Sequence, residues 1–375
     1  MQPTRGHYPR VIQMKRLLAG TAAAILAAAL VFPCEAVSAE SAILLDAQTG
    51  RVLFEKQADK QSLIASTTKI MTALVVCEQT NVLDRVRIPQ EAVGIEGSSM
   101  YLKAGEIMTV QELLYGLMLH SGNDAAVALA IYCGGTVEGF AELMNDKAHR
   151  LGMDDTHFVN PNGLDAPGHY STARDMAKLA AYAMENPIFA KTVSTKSVKA
   201  AGRTLTNHNK LLWSLEGAEG VKTGFTKAAG RILVSSCSRQ GRRLIAVTMN
   251  DRNDWQDHKQ LMDGGFADFS VRQLVTAGEC LGTVQVISGE RETVQLLAAE
   301  DFSYALTAEE QPELVLSKPG FVYAPVVSGQ DAGFAYLCLN GKSFGKIPLI
   351  YGETVEIEEI KKPSLWEKLL KGGKQ

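Results

Sequence analysis

The chain has 375 residues, a formal net charge of −3 and 46% hydrophobic residues. These values are typical of a globular protein that is long enough for about two domains. The sequence has no polybasic run of the kind that binds nucleic acid, so a nucleic acid is not expected as a partner.

The N-terminal segment has the pattern of a secretory signal. Two basic residues precede an apolar run at 17–32, and Val37 and Ala39 are the small residues expected before a cleavage point. The run is shorter than the about 20 residues that a spanning helix needs, which favours a cleaved signal over an uncleaved membrane anchor. Residues 1–39 are therefore predicted to be removed on export, and the mature chain starts near Glu40.

The cysteine and histidine patterns give no indication of a metal site. Cys34 lies in the predicted signal, and the mature chain keeps Cys77, Cys133, Cys237, Cys280 and Cys338. These five are widely spread without a CxxC pair and mostly lie in apolar stretches, so buried unreactive thiols are expected, with one disulfide as the alternative. The histidines form neither HExxH nor HxH. We predict neither a metal nor a cofactor.

The first domain, predicted at 40–284, begins with a β-hairpin in SAILLDAQTGRVLFEK. An apolar pattern with helical spacing starts at Ser66 and predicts a buried helix. Thr109 and Glu112 have the spacing of a capping box that opens a second helix. The next apolar run, AAVALAIY, ends at the glycine pair 134–135, a helix stop.

Further along the first domain, the loop FVNPNGLDAPGHY leads into a helical pattern that ends before Pro187. From Gly220 the period changes to that of strands in VKTGF, ILVSSCS and LIAVTM. Residues 256–274 have a helical pattern again. Strands at both ends of the domain with helices between them predict an α+β fold with one central sheet.

Residues 285–355 are predicted to form a small all-β domain, with Asn340-Gly341 as a hairpin turn. The tail at 356–375 contains KKPSLWEKLLKGGKQ, whose apolar residues fall on one helical face. A helix of about eight residues is about 12 Å long and cannot span a bilayer, so it would lie on a membrane surface. A frayed tail or a helix docked on the protein is the alternative.

Ser66 and Lys69 have the spacing of a nucleophile and its base on one helix face. A serine hydroxyl becomes a good nucleophile when a neighbouring group takes its proton, and a lysine does so only when uncharged. This requires a pKa about three units below the usual ~10.4, which burial and a second cation would provide. The alternative is that Ser66 is only a helix cap. Ser343 and Lys346 repeat the spacing, but they follow a hairpin turn.

Three short motifs follow one another in the sequence: Ser66-x-x-Lys69, Ser121-Gly122-Asn123 and Lys222-Thr223-Gly224. Their order resembles that of the penicillin-recognising serine enzymes. Within them, stretches such as GVKTGFTKAAGRILVSS resemble the low-molecular-mass D-alanyl-D-alanine carboxypeptidases, which are penicillin-binding proteins of peptidase family S11. The resemblance implies a β-lactamase/transpeptidase-like catalytic domain followed by a small all-β domain. Taken singly, each motif has an equally good structural explanation. The first would be a helix cap, the second a connector between helices and the third the end of a strand.

The resemblance implies a catalytic role for four of these side chains. Ser66 would attack the carbonyl between the two terminal D-alanines and carry the acyl group, with Lys69 as its general base. Ser121 and Lys222 would relay the proton to the departing D-alanine.

The same resemblance implies the groups that bind the substrate. Asn123 would hold the peptide amide, and Thr223 would contact the terminal carboxylate. Gly224, on a strand, would let the substrate backbone approach as an added strand. The backbone N–H groups of Ser66 and Phe225 would form the oxyanion hole.

The implied function is a serine-type D-Ala-D-Ala carboxypeptidase that acts on peptidoglycan pentapeptide stems and is inhibited covalently by β-lactam antibiotics. It would work outside the cytoplasm, in the cell wall or at the outer face of the cytoplasmic membrane. A class A-like β-lactamase is the nearest alternative, but it has Ser-Asp-Asn and a Glu-x-x-Leu-Asn loop that this chain lacks. A catalytically idle cell-wall-binding scaffold is the second alternative. Arg252 is expected to be a solvated surface arginine.

Overall fold

The computed structural model describes residues 37–359. Predicted features of residues 1–36 and 360–375, including most of the signal and the amphipathic tail, lie outside them. The strands and helices of the first domain are β1 (Ser41–Asp46), β2 (Val52–Lys56), α1 (Lys69–Gln79), β3 (Arg85–Arg87), β4 (Ile107–Thr109), α2 (Val110–Leu119), α3 (Asn123–Gly134), α4 (Val137–Arg150), α5 (Ala173–Ala183), α6 (Pro187–Ser194), β5 (Ser197–Ala200), β6 (Arg203–Thr206), α7 (Leu211–Ser214), β7 (Ala218–Thr226), β8 (Gly230–Arg239), β9 (Arg242–Met249) and α8 (Asp254–Asp268).

The centre of the first domain is a five-stranded antiparallel sheet with the order β2-β1-β9-β8-β7. The strands from both ends of the domain meet in it, because β1 pairs with β9. α8 packs on one face, and the helical layer that contains α1, α2, α3 and α5 packs on the other. The predicted α+β arrangement, its first hairpin and its antiparallel strands are confirmed. β7 lies at an edge of the sheet, and its outer side borders the candidate site.

The predicted capping box of α2 and the predicted glycine stop of α3 are both confirmed. The Thr109 side chain accepts from the Glu112 N–H at 3.2 Å, and the Glu112 carboxylate accepts from the Thr109 N–H at 2.8 Å. α3 ends at Gly134, and Gly135 adopts the left-handed φ of 77° that a glycine stop provides.

The predicted helix at 256–274 is wrong in its last six residues, 269–274. α8 ends at Asp268, and Ser270–Val275 forms a strand, β10. This segment pairs with Phe302–Leu306, so a distant partner strand overrides its local helical pattern. The helix before Pro187 ends at Ala183, but α6 begins at Pro187 itself, where a missing N–H is tolerated.

The second domain is all-β, as predicted. Its strands are β10 (Ser270–Val275), β11 (Cys280–Ile287), β12 (Thr293–Ala298), β13 (Phe302–Leu306), β14 (Glu313–Ser317), β15 (Phe321–Tyr323), β16 (Asp331–Leu339) and β17 (Lys342–Tyr351). Six of them form a sheet with the order β14-β16-β17-β12-β11-β15. The predicted start at residue 285 falls inside β11, so the all-β domain begins earlier in the chain than predicted. Asn340 and Gly341 form the turn between β16 and β17, and Ser343 lies on β17.

Arg51 links the two domains. Its guanidinium makes two hydrogen bonds of 2.7 Å to the Glu310 carboxylate and stacks on the Phe269 and Tyr304 rings. The pKa of the Glu310 carboxyl is lowered chiefly by its hydrogen bond with Arg51. The hairpin turn after β1 is therefore fastened to the second domain by a bidentate ion pair.

Residues 37–39, which are predicted to be removed with the signal peptide, pack into the first domain. Val37 and Ala39 are buried. The Ser38 hydroxyl donates to Asp251 at 2.7 Å, and its N–H donates to Asp257 at 2.6 Å. The predicted boundary after residue 39 therefore falls inside a packed segment, because these residues complete the core beside α8.

No single helix within residues 37–359 is long and apolar enough to cross a membrane; α3 and α4 together reach that length and apolar content only as a pair bent by 82°. The five cysteines of this part of the chain are free thiols. Cys77 and Cys237 are buried as expected, and burial raises the pKa of Cys77 to about 12 and that of Cys237 to about 11. Cys280 is exposed, contrary to the general expectation of buried thiols.

Candidate active site

Ser66 lies in a 3₁₀ turn, Ala65–Thr68, that leads directly into α1. The N-cap positions of the turn and of the helix are Ile64 and Thr68, so the interpretation of Ser66 as a helix cap is wrong. Ala65 just before it has a φ of 45°, a left-handed conformation that is uncommon for alanine. The Ser66 hydroxyl lies 2.9 Å from Nζ of Lys69, as the three-residue spacing predicts.

Lys69 is fully buried, and its Nζ contacts three oxygens. Besides the Ser66 hydroxyl, these are Asn123 Oδ1 at 2.7 Å and the backbone carbonyl of Asn162. Burial first, and then the charge of Lys222, hold the pKa of Lys69 well below its usual value. The nearby Asp124 carboxylate acts in the opposite direction but does not overcome them.

These contacts determine where the lone pair of an uncharged Lys69 points. A neutral amine has two N–H groups and one lone pair. A carbonyl oxygen can only accept, so the two N–H groups go to Asn123 and Asn162. The lone pair then faces the Ser66 hydroxyl, which is the one contact able to donate. Asn123 keeps this orientation because its Nδ2 donates to the Glu96 carbonyl at 2.6 Å.

The carbonyl of Asn162 belongs to a loop, 158–170, that α1 holds in place. Thr72 Oγ1 donates to the Pro161 carbonyl at 2.6 Å, one turn after Lys69. Gly163 has a φ of 83°, and a Cβ there would lie 1.9 Å from the Ala65 carbonyl. The loop therefore approaches the nucleophile turn so closely that only glycine fits.

His169 fastens the far end of the same loop. Its Nδ1 accepts from the Val159 N–H at 3.0 Å, so Nε2 carries the hydrogen and donates to Thr68 Oγ1 at 2.7 Å. Burial is the main cause that lowers the pKa of His169 to about 4. The ring is thus a neutral bridge between the loop and the residue that precedes Lys69. Sequence analysis missed this residue and the Asn162 carbonyl.

Ser121 lines the same cavity as Ser66, and Lys222 is close enough to Lys69 for its charge to lower the pKa of Lys69. Ser121 lies between α2 and α3 with a φ of 63°, and it is 5% exposed. Lys222 lies on β7, is 2% exposed and donates to the Thr223 carbonyl at 2.9 Å. Burial lowers the pKa of Lys222 to about 7. The predicted relay pair is brought to one site, although no hydrogen bond joins the two side chains among the described contacts.

Gly224 lies where β7 packs closely against the turn that holds Ser66. A Cβ at this position would lie 3.2 Å from the Ile64 carbonyl and from Thr67, which is tighter than ordinary van der Waals contact. The glycine therefore lets β7 approach the nucleophile turn, and its predicted role beside a substrate strand stays a prediction. Phe225 beyond it is 65% exposed at the outer edge of the sheet.

A cavity of about 330 Å³ opens beside Ser66. Its lining residues are Ser66, Ser98, Ser121, His208, Lys210, Thr223, Gly224, Phe225, Arg231, Ile232, Asp254 and Trp255. Asp254 is the one carboxylate in this set, so the walls are mainly basic or neutral. Arg252 is exposed and does not line the cavity, as expected. No group of three His, Cys, Asp or Glu side chains in residues 37–359 is arranged to hold a metal ion.

Comparison with known proteins identifies the family. The profile described as D-alanyl-D-alanine carboxypeptidase matches residues 27–253, and the profile described as penicillin-binding protein 5, C-terminal domain, matches residues 269–357. The chain belongs to the D-alanyl-D-alanine carboxypeptidase family. The predicted family, its penicillin-recognising fold with a C-terminal all-β domain, and its serine carboxypeptidase class are confirmed.

Relatives of this carboxypeptidase match it over most of their length. D-alanyl-D-alanine carboxypeptidase DacC of Escherichia coli is 35% identical, over 92% of this chain and 92% of the relative. DacF of Bacillus subtilis is 32% identical, over 85% of this chain and 86% of the relative. The crystal structure of penicillin binding protein 5 from Haemophilus influenzae has a TM-score of 0.75 and 31% identity, and the match covers 85% of this chain and 98% of that one.

Proposed function

We propose that Ser66 is the nucleophile and Lys69 the general base of a carboxypeptidase that removes the terminal D-alanine from peptidoglycan pentapeptide stems. The observation that carries this proposal is the contact set of Lys69. Its two carbonyl acceptors leave the lone pair for the Ser66 hydroxyl, and its lowered pKa favours the uncharged form that has this lone pair.

In acylation, Ser66 Oγ attacks the carbonyl carbon of the peptide bond between the two D-alanines while its proton passes to Nζ of Lys69. The tetrahedral intermediate carries a negative oxygen, which the backbone N–H groups of Ser66 and Phe225 would hold. The C–N bond breaks when the leaving nitrogen is protonated, and free D-alanine departs. Ser121 and Lys222 are proposed to deliver that proton, since Ser121 lines the cavity with Ser66 and the charge of Lys222 acts on Lys69.

In deacylation, a water molecule attacks the ester carbonyl of the acyl-enzyme. Lys69 is neutral again because its proton has passed through the Ser121 and Lys222 relay to the leaving nitrogen. It takes a proton from the attacking water and then gives that proton to the Ser66 oxygen, which leaves as a hydroxyl. This returns the enzyme to its starting state and releases the shortened stem.

Two binding roles and the reaction with β-lactams complete the proposal. Thr223 would contact the terminal carboxylate of the substrate. Asn123 would hold the substrate amide. Its own side-chain amide already accepts from Lys69 and donates to the Glu96 carbonyl, so Asn123 also orients the general base. A β-lactam presents an amide carbonyl and a carboxylate to the same groups, and it would acylate Ser66.

We also propose that the protein acts outside the cytoplasm, because its family acts on peptidoglycan. The tail at 356–375 would then rest on the outer surface of the cytoplasmic membrane. Its support is the sequence KKPSLWEKLLKGGKQ, which has five lysines and an apolar helical face.

The test measures D-alanine released from a muropeptide that ends in D-Ala-D-Ala. The wild-type protein is compared with Ser66→Ala and with Ser343→Ala, the serine of the second Ser-x-x-Lys sequence. We expect release by the wild type and by Ser343→Ala, and none by Ser66→Ala. Release that survives in Ser66→Ala would contradict the proposed nucleophile. No release from the wild type would favour an idle scaffold, and rapid hydrolysis of penicillin without D-alanine release would favour a β-lactamase.

A further inference from the structure

Arg231 is a cavity residue to which neither the motifs nor the proposed mechanism assigns a role. It is the second residue of β8, and it stands opposite Phe225 on β7 in the antiparallel register. Thr223 lies two residues before Phe225 on the same face of the sheet. Arg231 and Thr223 are therefore diagonal neighbours, roughly 7–8 Å apart at their Cα atoms, a distance that an arginine side chain can bridge.

The guanidinium of Arg231 is held in one orientation from behind. Its Nε and Nη2 donate to the carboxylate of Asp254 at 2.7 to 3.1 Å, and its Cζ lies 5.8 Å from the centre of the Trp255 ring. Asp254 is 2% exposed and is the first residue of α8, so its carboxylate is buried against the protein. Two of the three guanidinium nitrogens are thus engaged by a buried carboxylate.

The third nitrogen, Nη1, has no acceptor within hydrogen-bond distance in residues 37–359, and the Arg231 side chain is 45% exposed in the cavity wall. An oriented cation with a free donor suits a negatively charged planar ligand. The substrate of the proposed reaction has one such group close to the scissile bond, the carboxylate of its last D-alanine.

We propose that Arg231, together with the hydroxyl of Thr223, binds this C-terminal carboxylate and makes the site select free chain ends over D-alanines whose carboxyl group is blocked. The inference rests on the proposed function. Asp254 acts as the positioning residue that keeps Nη1 turned to the cavity. Arg252, in the loop that precedes α8, is not assigned this role because it is exposed and does not line the cavity.

The test compares two probes: diacetyl-L-lysyl-D-alanyl-D-alanine and the same peptide with a C-terminal amide. We measure kcat/KM for release of D-alanine and of D-alaninamide by the wild type, Arg231→Gln and the matched control Arg252→Gln. Loss of one charge-assisted contact predicts that Arg231→Gln reduces kcat/KM for the free acid roughly 10- to 100-fold. The value for the amide should change less than about twofold, since no carboxylate is present to bind. Arg252→Gln should behave as the wild type with both probes.

Equal losses of kcat/KM on the two probes would mean that Arg231 only supports the structure, and this result would overturn the inference. No loss of kcat/KM on either probe would overturn it as well. If Arg231→Gln does not fold, Arg231→Lys is tested in its place, because lysine keeps the positive charge but lacks the planar guanidinium. This variant should lose activity on the free acid and not on the amide. A wild type that releases no D-alanine from the free acid would instead refute the proposed function on which the inference rests.

Discussion

Replacing Lys222 with methionine removes an amine that folding buries at a free-energy cost. Lys222 is 2% exposed, and burial lowers its pKa from 10.5 to about 7. Each unit of this shift corresponds to about 1.4 kcal/mol, so the penalty at pH 7 is up to about 4 kcal/mol. We therefore expect Lys222→Met to be more stable than the wild type at pH 7 while it loses carboxypeptidase activity.

The sign of the pH dependence follows from the lowered pKa. The unfolded chain holds the Lys222 proton up to about pH 10.5, whereas the folded chain releases it above about pH 7. The penalty is therefore constant below pH 7, shrinks as the pH rises and is absent above about pH 10.5. The stability difference between Lys222→Met and the wild type should be large at pH 7 and below, and close to zero at pH 10.5.

Urea denaturation followed by tryptophan fluorescence provides the assay. Trp213 and Trp255 lie in the first domain, and the all-β domain contains no tryptophan, so the signal reports mainly on the domain that holds Lys222. Lys227→Met is the matched control, because Lys227 is an exposed lysine on the turn after β7. The reasoning would be refuted if Lys222→Met were no more stable than Lys227→Met at pH 7 and the stability of both variants changed with pH in the same way.

Three other substitutions or deletions test separate contacts. Thr72→Val leaves the Pro161 carbonyl without its donor, which should weaken the loop by about 1–3 kcal/mol and slow acylation by penicillin, measured by stopped flow. Arg51→Ala should weaken the contact between the domains by about 1–3 kcal/mol and speed amide hydrogen exchange around Glu310; unchanged exchange would contradict this. A chain that begins at Glu40 should be about 2 kcal/mol or more less stable than one that begins at Val37, measured by urea denaturation.

Features that depend on neighbours in the sequence could be predicted. The Ser66 and Lys69 side chains meet because three residues make one helical turn, and the Thr109–Glu112 capping box closes on itself. The Asn340-Gly341 turn likewise follows from residues that tolerate a positive φ. In each case the physical cause lies within a few residues of the pattern that reveals it.

Features that depend on distant partners could not be predicted. The Asn162 carbonyl that holds Lys69 is a backbone group, which every residue has and no residue type signals. Arg231 lines the cavity because β8 pairs with β7 and because Asp254, which is distant in the sequence, holds its guanidinium. The helix predicted to continue through residue 274 is wrong over the strand Ser270–Val275, because its partner strand begins about 30 residues later.

The central claim, that Ser66 is the nucleophile activated by a neutral Lys69, is tested most directly by mapping a covalent adduct. The protein is incubated with penicillin, digested, and its peptides are analysed by mass spectrometry. We expect a penicilloyl group on the peptide that contains Ser66, formed far more slowly in Lys69→Met. An adduct on another serine, or unchanged acylation in Lys69→Met, would contradict the account.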